Sequence, residues 1–184
     1  DRSKAGLAQQ VRLLKDSLAS IGKIDPAPLD PATQTSLAVV KSAFSVALDG
    51  FALPYGDVAV GGWRNTPYVV IQNVGAYLDT PRFLDGDHPV RDATDAEAYL
   101  SRLAAMPAQL DGELERLGEA GRIGAIAPAF LLDKAIRQLE LTQNDAAAGG
   151  DIVQSLVRRT SAIPGDWQSR AGELAKGPVA AALG

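Results

Sequence analysis

The sequence predicts a mainly α-helical fold: an irregular array of six or seven helices with a less regular segment near residues 51–83. Two observations predict it. Apolar residues recur at helical spacing over most of the chain, and residues that favour helix starts stand where these patterns begin. With 184 residues, 46% of them hydrophobic, the chain fits one helical region, residues 1–184.

The first helix is predicted from about Ser3 to Gly22. Its apolar residues follow each other at steps of four and three and form one stripe: Leu7, Val11, Leu14, Leu18 and Ile21. Asp30 followed by Pro31 predicts the N-cap and first residue of a second helix. That helix is expected to run to about Asp49 and to bury four apolar side chains: Leu37, Val40, Phe44 and Leu48.

Helical periodicity is lost between Phe51 and Phe83, where six of the ten aromatic residues lie. Residues 57–60 and 68–71 are rich in β-branched side chains and short enough for a small hairpin. Thr66 and Pro67 could instead begin a helix that reaches Asn73. Both alternatives fit a segment of irregular backbone.

The later helices are predicted from caps and stripes. Thr94 and Glu97 have the spacing of a capping box, and Pro107 is expected to kink or restart that helix. Its expected apolar residues are Tyr99, Leu100, Leu103, Leu110, Leu114 and Leu117.

Pro128 is expected to open the next helix, which ends near Asn144 and is followed by a small-residue linker, 146–150. Its residues available to the core are Phe130, Leu131, Ala135, Ile136 and Leu139. Asp151 and Asp166 are expected to cap two more helices, and Pro178 to begin another.

The composition excludes several classes of site. The chain has no cysteine, which excludes a cysteine nucleophile, and its one histidine, His88, cannot supply the usual ligands of a zinc site. We therefore expect no metal and no cofactor in this chain. His88 lies in a turn-like Asp-Gly-Asp-His-Pro string and is predicted to be solvated or hydrogen-bonded to a neighbouring Asp. A net charge of -4 without basic runs argues against nucleic acid, and no apolar run is long enough to span a membrane.

The residues most suited to binding lie between 61 and 77. Asn65, Gln72 and Asn73 could hold a peptide backbone, while Trp63, Tyr68 and Tyr77 offer stacking area. The alternative, favoured by composition alone, is that the aromatic rings cover the core and the amides satisfy loop backbone groups. Asp85, Asp87, Asp92 and Asp95 are predicted to be solvated turn and helix-capping carboxylates rather than calcium ligands. Asp111, Glu113 and Glu115 are predicted to lie on a solvated helix face rather than to act as acids.

Ordered blocks between Leu53 and Leu139 resemble the bacterial domain-of-unknown-function family numbered 885. The blocks are Leu53-Pro54-Tyr55, Trp63-Arg64-Asn65-Thr66-Pro67-Tyr68, Ile71-Gln72-Asn73-Val74-Gly75-Ala76-Tyr77, Pro81-Arg82-Phe83-Leu84, the run from Asp95 to Leu103, and Pro128-Ala129-Phe130. The resemblance implies a larger helical protein of zinc metallopeptidase type, whose later half carries a His-Glu-x-x-His helix that holds zinc. That motif is absent here, so the resemblance places no zinc ligand on this chain.

The resemblance therefore implies that the chain is the non-catalytic amino-terminal part of such a hydrolase and forms a wall or cover of its substrate cleft. Its partners would be the carboxy-terminal half, which would hold the zinc, and a peptide substrate; an exported or periplasmic location is favoured. Trp63, Asn65, Tyr68, Gln72 and Asn73 would line the cleft. Arg82 and Arg102 could bind a substrate carboxylate, although an ion pair of Arg102 with Glu97 or Asp95 is simpler. The alternative is a self-standing helical binding or interaction module without enzymatic activity.

Overall fold

The computed structural model describes residues 1–60 and 65–184, and over these residues the chain is mainly α-helical, as predicted. The helices are α1 (Lys4–Ile21), α2 (Pro31–Phe51), α3 (Ala76–Arg82), α4 (Ala93–Arg122), α5 (Ala129–Ala148), α6 (Asp151–Arg159), α7 (Trp167–Leu174) and α8 (Ala180–Leu183). A π-helical segment, Phe83–Asp87, extends α3, and another, Ala175–Val179, joins α7 to α8. Within the described ranges no helix is long and apolar enough to cross a membrane.

The first two helices begin where the sequence predicts. The Ser3 hydroxyl accepts a hydrogen bond from the Gly6 backbone N–H at 3.2 Å and so caps α1. The Asp30 carboxylate accepts from the backbone N–H groups of Ala32 and Thr33, both at 3.0 Å, and caps α2. Both caps satisfy N–H groups that the first helical turn leaves without an intrahelical partner.

The helices α1 and α2 pack on each other and contribute no residue to the main core. In α2 only Ala47 is buried. The prediction for this helix is therefore wrong in part, because Leu37, Phe44 and Leu48 are half-buried and Val40 is exposed. The apolar stripe of α2 has mainly one helix to cover it, which leaves its flanks in solvent.

The main core lies between α3, the first half of α4, α6 and the α7–α8 region. Its largest fully buried side chains are Tyr77, Leu84, Tyr99, Leu103, Met106, Leu156 and Val179. The Tyr99 hydroxyl donates to the Ile152 carbonyl at 2.6 Å, so the one polar atom of this buried ring has a partner. Tyr99, Leu100 and Leu103 thus occupy the core as predicted.

The start of α4 corrects the predicted capping box. Asp92 is the N-cap, and its carboxylate accepts from the Asp95 N–H at 3.0 Å. Asp95 in turn accepts from the Arg91 N–H at 2.9 Å, so the reciprocal cap starts two residues before Thr94. Glu97 faces away from the cap and pairs with Arg170 of α7 at 2.5 Å.

Helix α4 continues through Pro107 without a break, but the face it buries changes. Beyond Pro107 the buried residues are Gly112, Glu113, Arg116 and Ala120. Leu114 and Leu117 are exposed, so the prediction that they continue the apolar stripe is wrong. The second half of α4 lies against the amino-terminal segment and residues 56–57, which present charged side chains and backbone carbonyls instead of apolar surface.

Helix α5 follows Pro128 as predicted but continues past Asn144 to Ala148. The expected linker 146–150 shrinks to two glycines, of which Gly149 ends the helix with a φ of 70°. Of the predicted core residues of α5, Ala135 is buried, Leu131 and Leu139 are half-buried, and Phe130 and Ile136 are exposed.

The last helices differ from the prediction at their first residues. Gly150, not Asp151, is the N-cap of α6. Asp166 occupies the N-cap position of α7 as predicted, but its side chain forms no capping hydrogen bond. Pro178 does not begin a helix, since it lies inside the π-helical segment Ala175–Val179. A proline has no N–H to donate and crowds the preceding turn, which is a common cause of such a local widening.

Arg159, the last residue of α6, binds the end of the π-helical segment that extends α3. Its guanidinium donates to the carbonyls of Leu84 at 2.8 Å and of Asp85 at 3.2 Å, and also to the carbonyl of His88. These carbonyls lie at a helix end, where they have no intrahelical donor. Arg159 therefore satisfies this end from another helix.

The segment between α2 and α3 forms isolated antiparallel bridges in place of the predicted hairpin. Asp57 pairs with Thr66, and Ile71 pairs with Val74. Residues 57–60 and 68–71 do not pair as strands, and Thr66 and Pro67 do not begin a helix. The bridge between Asp57 and Thr66 holds the two ends of the segment whose central residues, 61–64, lie outside the described ranges.

Candidate functional site

The predicted binding residues are spread along the irregular segment. Asn65 is exposed and accepts from the Ala59 N–H at 3.0 Å through its side-chain oxygen. Tyr68 and Gln72 are half-buried, and Asn73 is exposed. Trp63 lies outside the described residues. The Gln72 side-chain oxygen is enclosed, with no hydrogen-bond partner among the described residues.

Of the described side chains in this set, Asn65 borders a groove along α2. The groove has a volume of about 350 Å³, and Val39, Ala43 and Val46 form one of its walls and Ala59 and Asn65 the other. Tyr68, Gln72 and Asn73 line none of the cavities that we describe. The described residues of the predicted set therefore do not converge on one cavity.

A partly buried charge cluster lies behind the irregular segment. It consists of three carboxylates and two guanidinium groups from four parts of the chain: Arg2, Asp57, Asp79, Glu113 and Arg116. Arg2 pairs with Asp57 at 2.8 Å, with Asp79 at 3.6 Å and with Glu113. Arg116 pairs with Asp57 at 2.7 Å. The cluster fixes the amino-terminal segment and residues 56–57 on α4.

Glu113 also holds the start of α3. Both of its carboxylate oxygens accept from the Ala76 N–H, each at 2.9 Å, and the side chain is almost fully buried. Burial raises the pKa of Glu113, while the charge of Arg2 opposes this effect. Gly75 makes the approach possible: it has a φ of 148°, and a Cβ atom at this position would lie 2.8 Å from the Tyr77 ring, so a larger residue does not fit.

This cluster was not predicted from the sequence, and the assignment of Glu113 to a solvated face is wrong. The partners of Glu113 are far away in the sequence, at Arg2 and Ala76. One local signal existed: Gly112, Arg116 and Ala120 recur at helical spacing and mark the face of α4 that the amino-terminal segment covers.

A cavity of about 250 Å³ lies beside the charge cluster, between α1, the end of α2, residues 53–58 and α4. Its walls are mostly apolar and include Leu7, Phe51 and Val69. Its polar groups are the Arg116 guanidinium and the ion pair of Lys4 with Glu119, at 2.5 Å. Such a cavity suits a small molecule with an apolar body and a few hydrogen-bond acceptors.

His88 is buried, which corrects the prediction that it is solvated. Its Nε2 lies 2.9 Å from the backbone carbonyl oxygen of Asp95, not from a carboxylate. The ring stands edge-on to Tyr99, with centroids 5.6 Å apart. His88 thus fills the space between the end of the α3 extension and the start of α4.

The described residues do not fit a zinc site. No three His, Asp or Glu side chains within 1–60 and 65–184 lie close enough together to hold a metal ion. The one histidine is buried against a carbonyl oxygen.

Arg102 does not form the predicted ion pair with Glu97 or Asp95. Glu97 is bound by Arg170, and Asp95 by Arg91. The Arg102 guanidinium instead lies over the Phe83 ring, 5.9 Å from its centroid. Arg82, the other predicted carboxylate ligand, is exposed near the end of α3.

Comparison with protein families gives one match. The family described as "Bacterial protein of unknown function (DUF885)" matches residues 1–184. A search of curated proteins and a search of solved structures each found no match.

Proposed function

Because the chain belongs to the DUF885 family of bacterial proteins over residues 1–184, we propose that it forms a non-catalytic amino-terminal wall or cover of a substrate cleft in a zinc-dependent hydrolase of peptidase type. The zinc and its His-Glu-x-x-His helix would belong to the carboxy-terminal half of the full protein.

The observation that carries the proposal is the apolar surface at the α4–α5 corner. Large apolar side chains there are exposed, among them Leu114 at 68%, Ile126 at 62% and Phe130 at 61%. Leu117 and Ile123 add to the same part of the chain. Covering apolar surface is favourable, and an extended exposed patch marks a region that another protein part covers. In this proposal the carboxy-terminal half docks at the α4–α5 corner.

The substrate side of the wall would be the irregular segment. Asn65, Gln72 and Asn73 would bind an extended peptide through side-chain hydrogen bonds, and Trp63 and Tyr68 would stack on its side chains. Asn65 supports this assignment, since its side chain is exposed and borders the groove along α2.

The first test is to read the native gene beyond the codon for Gly184. A His-Glu-x-x-His sequence on a helical pattern would support the proposal. A reading frame without this motif would overturn the hydrolase assignment and favour the self-standing binding module.

The docking surface is tested with Phe130→Asp in two proteins, the full-length protein and the chain of residues 1–184. We expect a clear loss of thermal stability in the full-length protein, because a charge would be buried in the interface. The shorter chain is the matched control and should be unaffected, since Phe130 is exposed in it. Equal melting temperatures of wild type and variant in the full-length protein would contradict the docking surface.

The substrate contacts are tested with the double variant Asn65→Ala/Gln72→Ala in the full-length protein. We expect a higher KM or a lower kcat/KM for peptides at an unchanged melting temperature. The matched control is Gln10→Ala/Asn144→Ala, which removes two exposed amides from α1 and α5. Unchanged kinetics in a folded Asn65→Ala/Gln72→Ala protein would remove these residues from the site.

A further inference from the structure

We propose that a groove between α3 and α4 binds a small aromatic carboxylate, and this inference does not depend on the proposed hydrolase function. The α3–α4 groove has a volume of about 310 Å³. Its α3 side is formed by Ala76, Thr80 and Phe83, and its α4 side by Arg102, Ala105 and Gln109.

The spacing of these residues explains why an open groove exists. On each side they recur at steps of three or four, so each set forms one face of a helix. The small side chains of Ala76 and Ala105 leave room between the two helices, while Phe83 and Arg102 close one end. Seven residues of helix give the groove a length of about 10 Å, which suits a ligand with one ring.

The charge of the groove comes from Arg102. None of the ion pairs that we describe includes this residue, because the acids nearest in sequence, Asp95 and Glu97, are held by Arg91 and Arg170. Among the described residues, its guanidinium lies over the Phe83 ring and donates a hydrogen bond of 3.3 Å to the Ala98 carbonyl. At the other end of the groove Arg2 is shared among three carboxylates, those of Asp57, Asp79 and Glu113, so it is not available to an anion. An anion is therefore favoured at the Arg102 end.

A planar carboxylate matches this arrangement better than a phosphate or a cation. The carboxylate would accept two parallel hydrogen bonds from the Arg102 guanidinium. A flat ring would then lie against Phe83, which is 41% exposed, and over the Ala105 methyl group. A polar group opposite the carboxylate would reach the Gln109 amide, which can donate and accept.

The test is a calorimetric titration of the chain with 4-hydroxybenzoate and with 4-hydroxybenzamide, its neutral analogue. We expect the carboxylate to bind and the amide to bind at least about tenfold more weakly, because only the carboxylate is charged. Arg102→Gln should weaken binding of the carboxylate about tenfold or more. Arg158→Gln, which removes another exposed arginine, from α6, is the matched control and should bind as wild type does.

A second variant tests the shape of the groove independently of charge. Ala105 is exposed on α4, so the larger side chain of Ala105→Leu would extend into the groove without disturbing the core. This variant should therefore abolish binding without unfolding the protein. Circular dichroism at each titration temperature checks the fold of both variants. The proposal is overturned if wild type binds neither compound, if both bind equally, or if Arg102→Gln and Ala105→Leu leave the affinity unchanged.

Discussion

Arg116 is the residue on which the contacts between α4 and residues 56–57 depend. Its guanidinium binds the Asp57 carboxylate at 2.7 Å and the Gly56 carbonyl at 2.8 Å, and its side chain is 7% exposed. Arg116→Met would remove the donor of the Gly56 carbonyl and leave the Asp57 carboxylate with Arg2 as its remaining partner. We expect a loss of about 3–5 kcal/mol in the free energy of unfolding, measured by urea denaturation.

The matched control for this prediction is Arg158→Met, the same exchange at an exposed pair. Arg158 lies 3.5 Å from Asp85, and both side chains are more than half exposed. Exposed pairs contribute little, so the unfolding midpoint should not move beyond error. An Arg116→Met protein as stable as wild type would show that the charge cluster does not stabilise the fold.

Glu113 gives a prediction for pH. Because burial raises its pKa in the folded protein above the ordinary value of 4.5, its contribution to stability is complete below the unfolded pKa and is lost as the pH rises through the folded pKa. Glu113→Gln lacks this titration. We therefore expect the stability of wild type, relative to Glu113→Gln, to fall as the pH rises above the ordinary pKa of 4.5, measured by urea denaturation. A difference that does not change with pH would contradict this prediction.

Asp95 is expected to behave in the opposite way. The side-chain hydrogen bond from Arg91 lowers its pKa from 3.8 to about 2. The contribution of the Asp95 carboxylate to the free energy of unfolding is therefore present above the unfolded pKa and is lost as the pH falls through the folded pKa. Wild type should lose stability relative to Asp95→Asn only below about pH 4, and acid titration followed by circular dichroism measures this. A relative loss on the alkaline side would contradict the assignment.

Two glycines of α4 test how this helix meets the amino-terminal segment. A Cβ on Gly112 would lie 2.8 Å from the Ser3 backbone, whereas a Cβ on Gly118 would meet nothing within 4 Å. Gly118→Ala should therefore stabilise the protein by about 0.5–1 kcal/mol through helix propensity alone. Gly112→Ala should destabilise it, since Ser3 and the cap of α1 must move. Thermal unfolding of both variants checks this, and equal effects would mean that Ser3 does not constrain α4.

For single helices, contacts between residues close in the sequence were predictable, whereas contacts between distant residues were not. The caps at Ser3 and Asp30 were predictable because donor and acceptor lie within three residues. The buried face of α4 beyond Pro107 was not, since it is set by Arg2 and Asp57, which the sequence places more than 50 residues away from Arg116. Leu114 and Leu117 fit a helical stripe equally well, and only the tertiary partner decides between the two faces.

The whole molecule has a main core without α1 and α2. We expect backbone amides in these two helices to exchange with deuterium faster than those of α4 between Ala96 and Met106, because few buried contacts oppose local opening. Hydrogen exchange followed by mass spectrometry measures this. Equal protection of α1, α2 and the first half of α4 would show that the chain unfolds as one cooperative unit.

The fold class was predictable from the sequence, but most of the candidate site was not. The mainly α-helical class followed from apolar periodicity, and the irregular segment from its glycines, prolines and aromatic residues. The charge cluster and the cavity beside it did not follow, because they form where Arg2, Asp57 and Glu113 meet from three separate parts of the chain. Periodicity describes one element at a time and does not show which elements meet.

The contact of Arg159 with the end of the α3 extension has a consequence for the order of folding. Between 71 and 75 residues separate Arg159 from the carbonyls that it binds. During synthesis on the ribosome, these carbonyls therefore stay hydrated until α6 has emerged and docked. We expect the α3 region to reach its final state late in synthesis, together with α6, although it is translated well before it.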